Sequence, residues 1–231
     1  MEGCLTKAAG RLGPSLGSVL FYPMAHNRAE PRSYEQELSF ARQIILDEAN
    51  ALRELAQSLG PEFAQALDLL EKCADAHGTV LVTGLGKSGL VGQKVAATLA
   101  SLGVASHFVH PAEAAHGDLG RFRSTDAVIA ISNSGETEEV VNLASLLRQD
   151  AIPIIAITRG PLNRADAAST HDRPPGSSLE RLASVTLHLP TEQEAGAPDF
   201  AAPTSSTTAT LALGDAIALA LARRREFTDA D

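Results

Sequence analysis

From Gly78 onward the sequence alternates short β-rich runs with helical ones, and that alternation leaves few folds open. The runs are Thr79–Thr83, Ser106–Val109, Ala127–Ser132, Pro153–Thr158 and Ser184–Leu189. Several are apolar almost without interruption, the pattern of strands covered on both faces. Between them Lys87–Leu102 and Glu136–Leu147 read as helices, and an Ala- and Leu-rich helix follows over Ser206–Arg225. A strand–helix–strand succession predicts an α/β fold with a parallel sheet. Right-handed crossovers then place helices on both faces, in three layers.

The segment before this alternation is helical. Ser33 with Gln36 three residues on fits a capping box. Leu38, Ala41, Ile45, Leu52, Leu55 and Leu59 recur at helical spacing until Gly60-Pro61, which ends one helix and starts another. Phe63, Leu67, Leu70 and Ala74 mark the second helix, and His77-Gly78 closes it. Residues 1–32 read as a flexible extension ahead of a domain spanning 33–231. The first 28 carry Lys7, Arg11 and Arg28 against Glu2 alone, which fits either an unstructured tail or a targeting peptide. The expected location is cytoplasmic, or organellar if that stretch is a targeting peptide. Gly160–Ala183, with its Pro-Pro-Gly, reads as a loop.

Composition narrows the partners. The net charge of −9 and the absence of Trp speak against nucleic acid. No apolar run approaches the roughly 18–20 residues of a membrane span, so no membrane partner is expected. Cys4 and Cys73 are the only cysteines, so neither a disulfide framework nor a CxxC metal pair exists. An acidic chain that binds phosphate must rely on local backbone dipoles.

In an open parallel sheet, ligands bind beyond the carboxyl ends of the strands. Gly84-Leu85-Gly86-Lys87-Ser88-Gly89 follows the first strand and matches GxGxxG, but the second strand ends at His107-Phe108-Val109-His110 without the acid a dinucleotide site needs. Ser132-Asn133-Ser134-Gly135-Glu136-Thr137 follows the third strand where a helix begins. The unpaired amides of a helix start favour phosphate, and three hydroxyls exceed what capping requires. A further hydroxyl cluster, Thr204-Ser205-Ser206-Thr207-Thr208, opens the last helix, and Asp215 within that helix reads as a hydrogen-bonded structural residue.

These three motifs, in this order, resemble the sugar isomerase (SIS) domain. His110-Pro111-Ala112-Glu113-Ala114-Ala115-His116-Gly117-Asp118-Leu119-Gly120 and Ala202-Pro203-Thr204-Ser205-Ser206-Thr207-Thr208-Ala209-Thr210-Leu211 look like its arabinose-5-phosphate isomerase branch. The resemblance implies a five-stranded parallel sheet flanked by helices. It implies aldose–ketose isomerisation of D-arabinose 5-phosphate and D-ribulose 5-phosphate through an enediol, with no cofactor and no metal. It also implies a homo-oligomer, a dimer or tetramer, with sites between subunits. Phosphate would lie against Ser88, Ser132, Ser134 and Thr137, with Ser205 or Thr207. Lys87, Glu139, Glu194 and His116 match catalytic positions, and residue type alone leaves the choice of base between Glu139 and Glu194 open. The family's His-Pro-Gly-Gly element, whose histidine is catalytic, and the paired CBS modules that often follow would lie beyond Asp231, so reduced activity is expected of the sequence as given. The alternative is a non-catalytic phosphosugar-binding module, a sensor or regulatory subunit.

Overall fold

The computed structural model describes residues 33–115, 117–160, 176–190 and 193–228. The 1–32 extension therefore lies outside the described residues, as does most of the 160–183 segment.

Helix α1 (Tyr34–Ser58) starts at the capping box: Ser33 Oγ accepts from the Gln36 amide and the Gln36 side chain accepts from the Ser33 amide. Leu59 and Gly60 break it, and Pro61, which has no amide to leave unpaired, opens α2 (Pro61–Asp75). The chain then runs β1 (Val80–Gly84), α3 (Lys87–Ser101), β2 (Ser106–Phe108), α4 (Pro111–Ala115), a 3₁₀ turn at Asp118–Arg121, β3 (Ala127–Ile131) and α5 (Glu138–Gln149). It closes with β4 (Ile154–Arg159), α6 (Ser178–Leu182), β5 (Val185–Leu189) and α7 (Ser205–Arg224). The part of the expected 160–183 loop that is described is thus in part helical. Ser177 caps α6 by accepting the Glu180 amide, a local signal inside a stretch otherwise rich in Pro and Gly.

The five strands pair in parallel, in the order β2-β1-β3-β4-β5. Strand alternation splits the core in two. Val80, Val82, Ile129, Ile131, Ile155 and Ile157 face α2, α3 and α7, while Leu81, Val128, Ala130, Ile154 and Ala156 face α4, α5 and α6. This is the three-layer αβα arrangement. β1 and β3 are buried throughout and β4 nearly so, which explains their unbroken apolar runs, whereas edge strands β2 and β5 are only partly covered.

Helix α7 is long and apolar enough, by length and composition, to cross a membrane. Its apolar residues serve the core instead: Ala209, Leu213, Ile217, Ala218 and Leu221 are buried in the α2–α3 layer. The helix matches the Ala- and Leu-rich run expected over Ser206–Arg225, but it is longer and more apolar than the expectation of no membrane-length run allowed. Asp215 forms an ion pair with Lys94 of α3.

Candidate functional site

The strand order reverses direction between β1 and β3, so the crevice beyond their carboxyl ends is where a ligand fits. Both expected loops lie there. After β1, Gly86 adopts a positive φ of 58° and leads into α3, whose first turn has no side-chain cap and no acidic residue. Lys87 is the first residue of that helix and is exposed; Ser88 beside it is half-buried. A cavity of about 220 Å³ opens here, and its polar wall is Lys87, Ser88, Asn133, Ser206, Thr207 and Thr210. One cavity therefore draws on the loops after β1 and β3 and on the start of α7.

The loop after β3 is held from within. Buried Ser132 donates its amide to the Ile157 carbonyl at 3.0 Å, and its hydroxyl lies 2.8 Å from the Thr137 hydroxyl. Ser134 is exposed, and its Oγ accepts from the Glu136 amide at 3.2 Å. Thr137 precedes α5 but spends its hydroxyl on Ser132, so it gives the helix amides no side-chain cap. The starts of α3 and α5 thus both present a positive dipole end that no side chain of the N-cap residue answers.

The start of α7 is different. Its amides at Thr204 and Ser206 donate to Glu194 Oε2 at 2.9 and 3.0 Å, and the Ser206 hydroxyl donates to Glu194 Oε1. Burial pushes the Glu194 carboxyl up, but these hydrogen bonds from Ser206 and Thr204 outweigh it and hold the group below the ordinary carboxylate value of 4.5. The clasp is reciprocal: Ser205 Oγ accepts from the Ala195 amide at 3.2 Å, and the Thr204 hydroxyl donates to the Ala195 carbonyl at 3.1 Å.

The expected residues accordingly divide. Lys87, Ser88 and Thr207 line the cavity together. Ser132, Ser134 and Thr137 form the loop beside it, with only Asn133 of that loop on the cavity wall. Glu139, the second residue of α5, is half-buried and is not part of the wall. Ser205, expected at the phosphate, accepts the Ala195 amide and lines a different hollow. Glu194, expected at a catalytic position, is anchored to α7 because that helix start offers it backbone amides. His116 lies outside the described residues. The hollow beside Ser205, about 530 Å³, is larger than the cavity, but Asp47, Glu54 and Glu194 line it, and such a wall repels phosphate.

Sequence reasoning missed Ser206, Thr210 and Asn133 as wall residues. Asn133 Oδ1, with Thr83 Oγ1 and His110 Nδ1, is buried without a hydrogen-bond partner among the described residues. All three sit at or just past the carboxyl ends of β1, β2 and β3, where unsatisfied polar atoms suit a site rather than a core.

Comparison with known proteins gives the family. The SIS domain model matches residues 72–174. A solved structure, E. coli CFT073 c3406 in complex with arabinose 5-phosphate, superposes with a TM-score of 0.74 at 36% identity, covering 87% of this chain and 97% of that one. The chain belongs to the SIS domain family. Among curated SIS relatives, the arabinose 5-phosphate isomerase KdsD of Pseudomonas aeruginosa is 44% identical over 85% of this chain, and that of Salmonella typhi 42% over 90%. The chain spans a little over half of those relatives, 56% and 57% of their lengths.

Proposed function

We propose that this SIS chain is the phosphosugar-binding and catalytic core of an aldose–ketose isomerase that interconverts D-arabinose 5-phosphate and D-ribulose 5-phosphate. The observation that carries the reading is Lys87 on the wall of a small polar cavity that the uncapped start of α3 shares with Asn133 and the hydroxyls of α7. A sugar phosphate needs those parts: amide dipoles and hydroxyls for the phosphate, and one cation for the carbonyl end. The named relatives and the complex with arabinose 5-phosphate support the same substrate class.

In this proposal Ser88 and the 132–137 loop seat the phosphate, with Thr207 on the opposite wall. A base removes a proton from one carbon and returns it to its neighbour, while Lys87 stabilises the negative charge that develops on the enediol oxygens. Glu139 is the better base of the two candidate glutamates. Glu194 already accepts hydrogen bonds at both oxygens, which lowers its basicity and fixes its position. The working form is a homo-oligomer, which exposed Tyr34, Ile45 and Leu46 on α1 support. The setting is cytoplasmic, which the free buried thiol of Cys73 suits.

The test is to incubate the purified chain with arabinose 5-phosphate and follow ketose formation. Ketose production that Glu139→Gln abolishes supports the isomerase. Binding without turnover moves the reading to a phosphosugar-binding module. Neither binding nor turnover overturns both.

A further inference from the structure

Helix α6 approaches the 132–137 loop from the side of β4. The Ser178 amide donates to Glu136 Oε1 at 3.0 Å, and the Leu179 amide donates to the Gly135 carbonyl at 3.0 Å. Gly135 has a φ of 65°, and a Cβ there would overlap Ser177. Only glycine lets α6 come this close in that conformation. From β4 the Arg159 amide donates to the Asn133 carbonyl at 3.0 Å. A planar peptide holds its N–H opposite its C=O, so the Arg159 tie turns the Ser134 amide away from β4 and the Leu179 tie turns the Glu136 amide away from α6.

The brace is itself held in place. Leu179 is fully buried, Arg148 of α5 donates to the Arg181 carbonyl at 2.7 Å, and Ser177 donates to Glu180 Oε1 at 3.0 Å. Glu136 is the member of this set whose chemistry needs explaining. A carboxylate next to a phosphate seat repels the ligand. Drawn to the Ser178 amide, its charge faces α6.

We propose that Glu136 and α6 form a clasp that sets the shape of the 132–137 loop, with Glu136 as a positioning residue for the phosphate seat; this rests on the phosphosugar reading above. Glu136 acts through the loop and touches no reacting atom.

The test compares Glu136→Ala with Glu136→Gln, which keeps a carbonyl acceptor for the Ser178 amide. Glu136→Ala should raise the Kd for inorganic phosphate and the KM for arabinose 5-phosphate by roughly tenfold, the loss of the seat's shape outweighing the repulsion removed with the carboxylate. Its kcat should stay within about twofold, since the transition-state contacts are untouched. Glu136→Gln should recover most of the affinity. Hydrogen exchange of the 133–137 amides should accelerate in the Ala variant alone. Unchanged KM and exchange in Glu136→Ala overturns the clasp, as does a Gln variant no better than Ala. If the unaltered chain neither binds phosphate nor converts the sugar, the function reading fails. Exchange then decides the clasp by itself: faster exchange in Glu136→Ala keeps it and unchanged exchange removes it.

Discussion

Glu194 brings together the electrostatics at the start of α7. A carboxylate there completes the first-turn amides and complements the helix dipole. Losing such a cap costs about 1 kcal/mol. Glu194→Gln should therefore lower the melting temperature at pH 7 by roughly 2–4 °C, the scale expected for a domain of this size. The pH dependence follows from the lowered carboxyl value. The hydrogen-bonded carboxylate releases its proton more readily in the folded protein than in the unfolded chain. Its contribution is complete above the ordinary 4.5 and fades as the pH falls through the lower folded-state value. The gap between the two proteins, read by thermal melts across acid pH, should close on the acid side of 4.5. A gap that persists unchanged into strong acid contradicts the anchoring role.

Three helices begin around the crevice, and their starts are not equivalent. Those of α3 and α5 lack side-chain caps, whereas Glu194 answers that of α7. Ser88→Ala should weaken phosphosugar binding by on the order of 1–3 kcal/mol in calorimetry. Thr207→Ala should cost less, because the Thr207 hydroxyl already donates to the Thr204 carbonyl at 2.8 Å. Equal losses would place the phosphate as close to α7 as to α3. At this scale the strands were the most legible part of the sequence. Buried on both faces, β1 and β3 show as unbroken apolar runs, and Ser33, Gln36 and Pro61 mark helix starts by their own chemistry. Helices α4 and α6 were not legible, since five residues hold too little periodicity to register. Nor was the rotation of α7. Adjacent residues on a helix point about 100° apart, so Ser205 meets Ala195 while Ser206 and Thr207 meet the cavity. A run of hydroxyls shows that a site exists without showing which of them face it.

The molecule as a whole leaves one helix undercovered. Of the 25 residues of α1 only Ala51 and Leu55 are buried. Contacts with α7 and the 193–204 segment seat it: Phe40 meets Phe200 edge-on at 6.0 Å, and Thr208 donates to Glu48 at 3.1 Å. Tyr34, Ile45 and Leu46 remain exposed, a surface that association would cover. Light scattering should give at least twice the 24.1 kDa of one chain, and Ile45→Asp with Leu46→Asp should return it to the monomer mass. A wild-type monomer at micromolar concentration would remove the oligomer. Association would also separate two functions. The polar cavity is built within one chain, whereas Glu139 stands off its wall. If a second copy completes the catalytic arrangement, dilution below the dissociation constant should reduce turnover per chain while leaving phosphate affinity unchanged. The Ile45→Asp, Leu46→Asp variant should then bind the sugar phosphate normally and isomerise it poorly. Full turnover in that monomer would show that one chain carries the whole site.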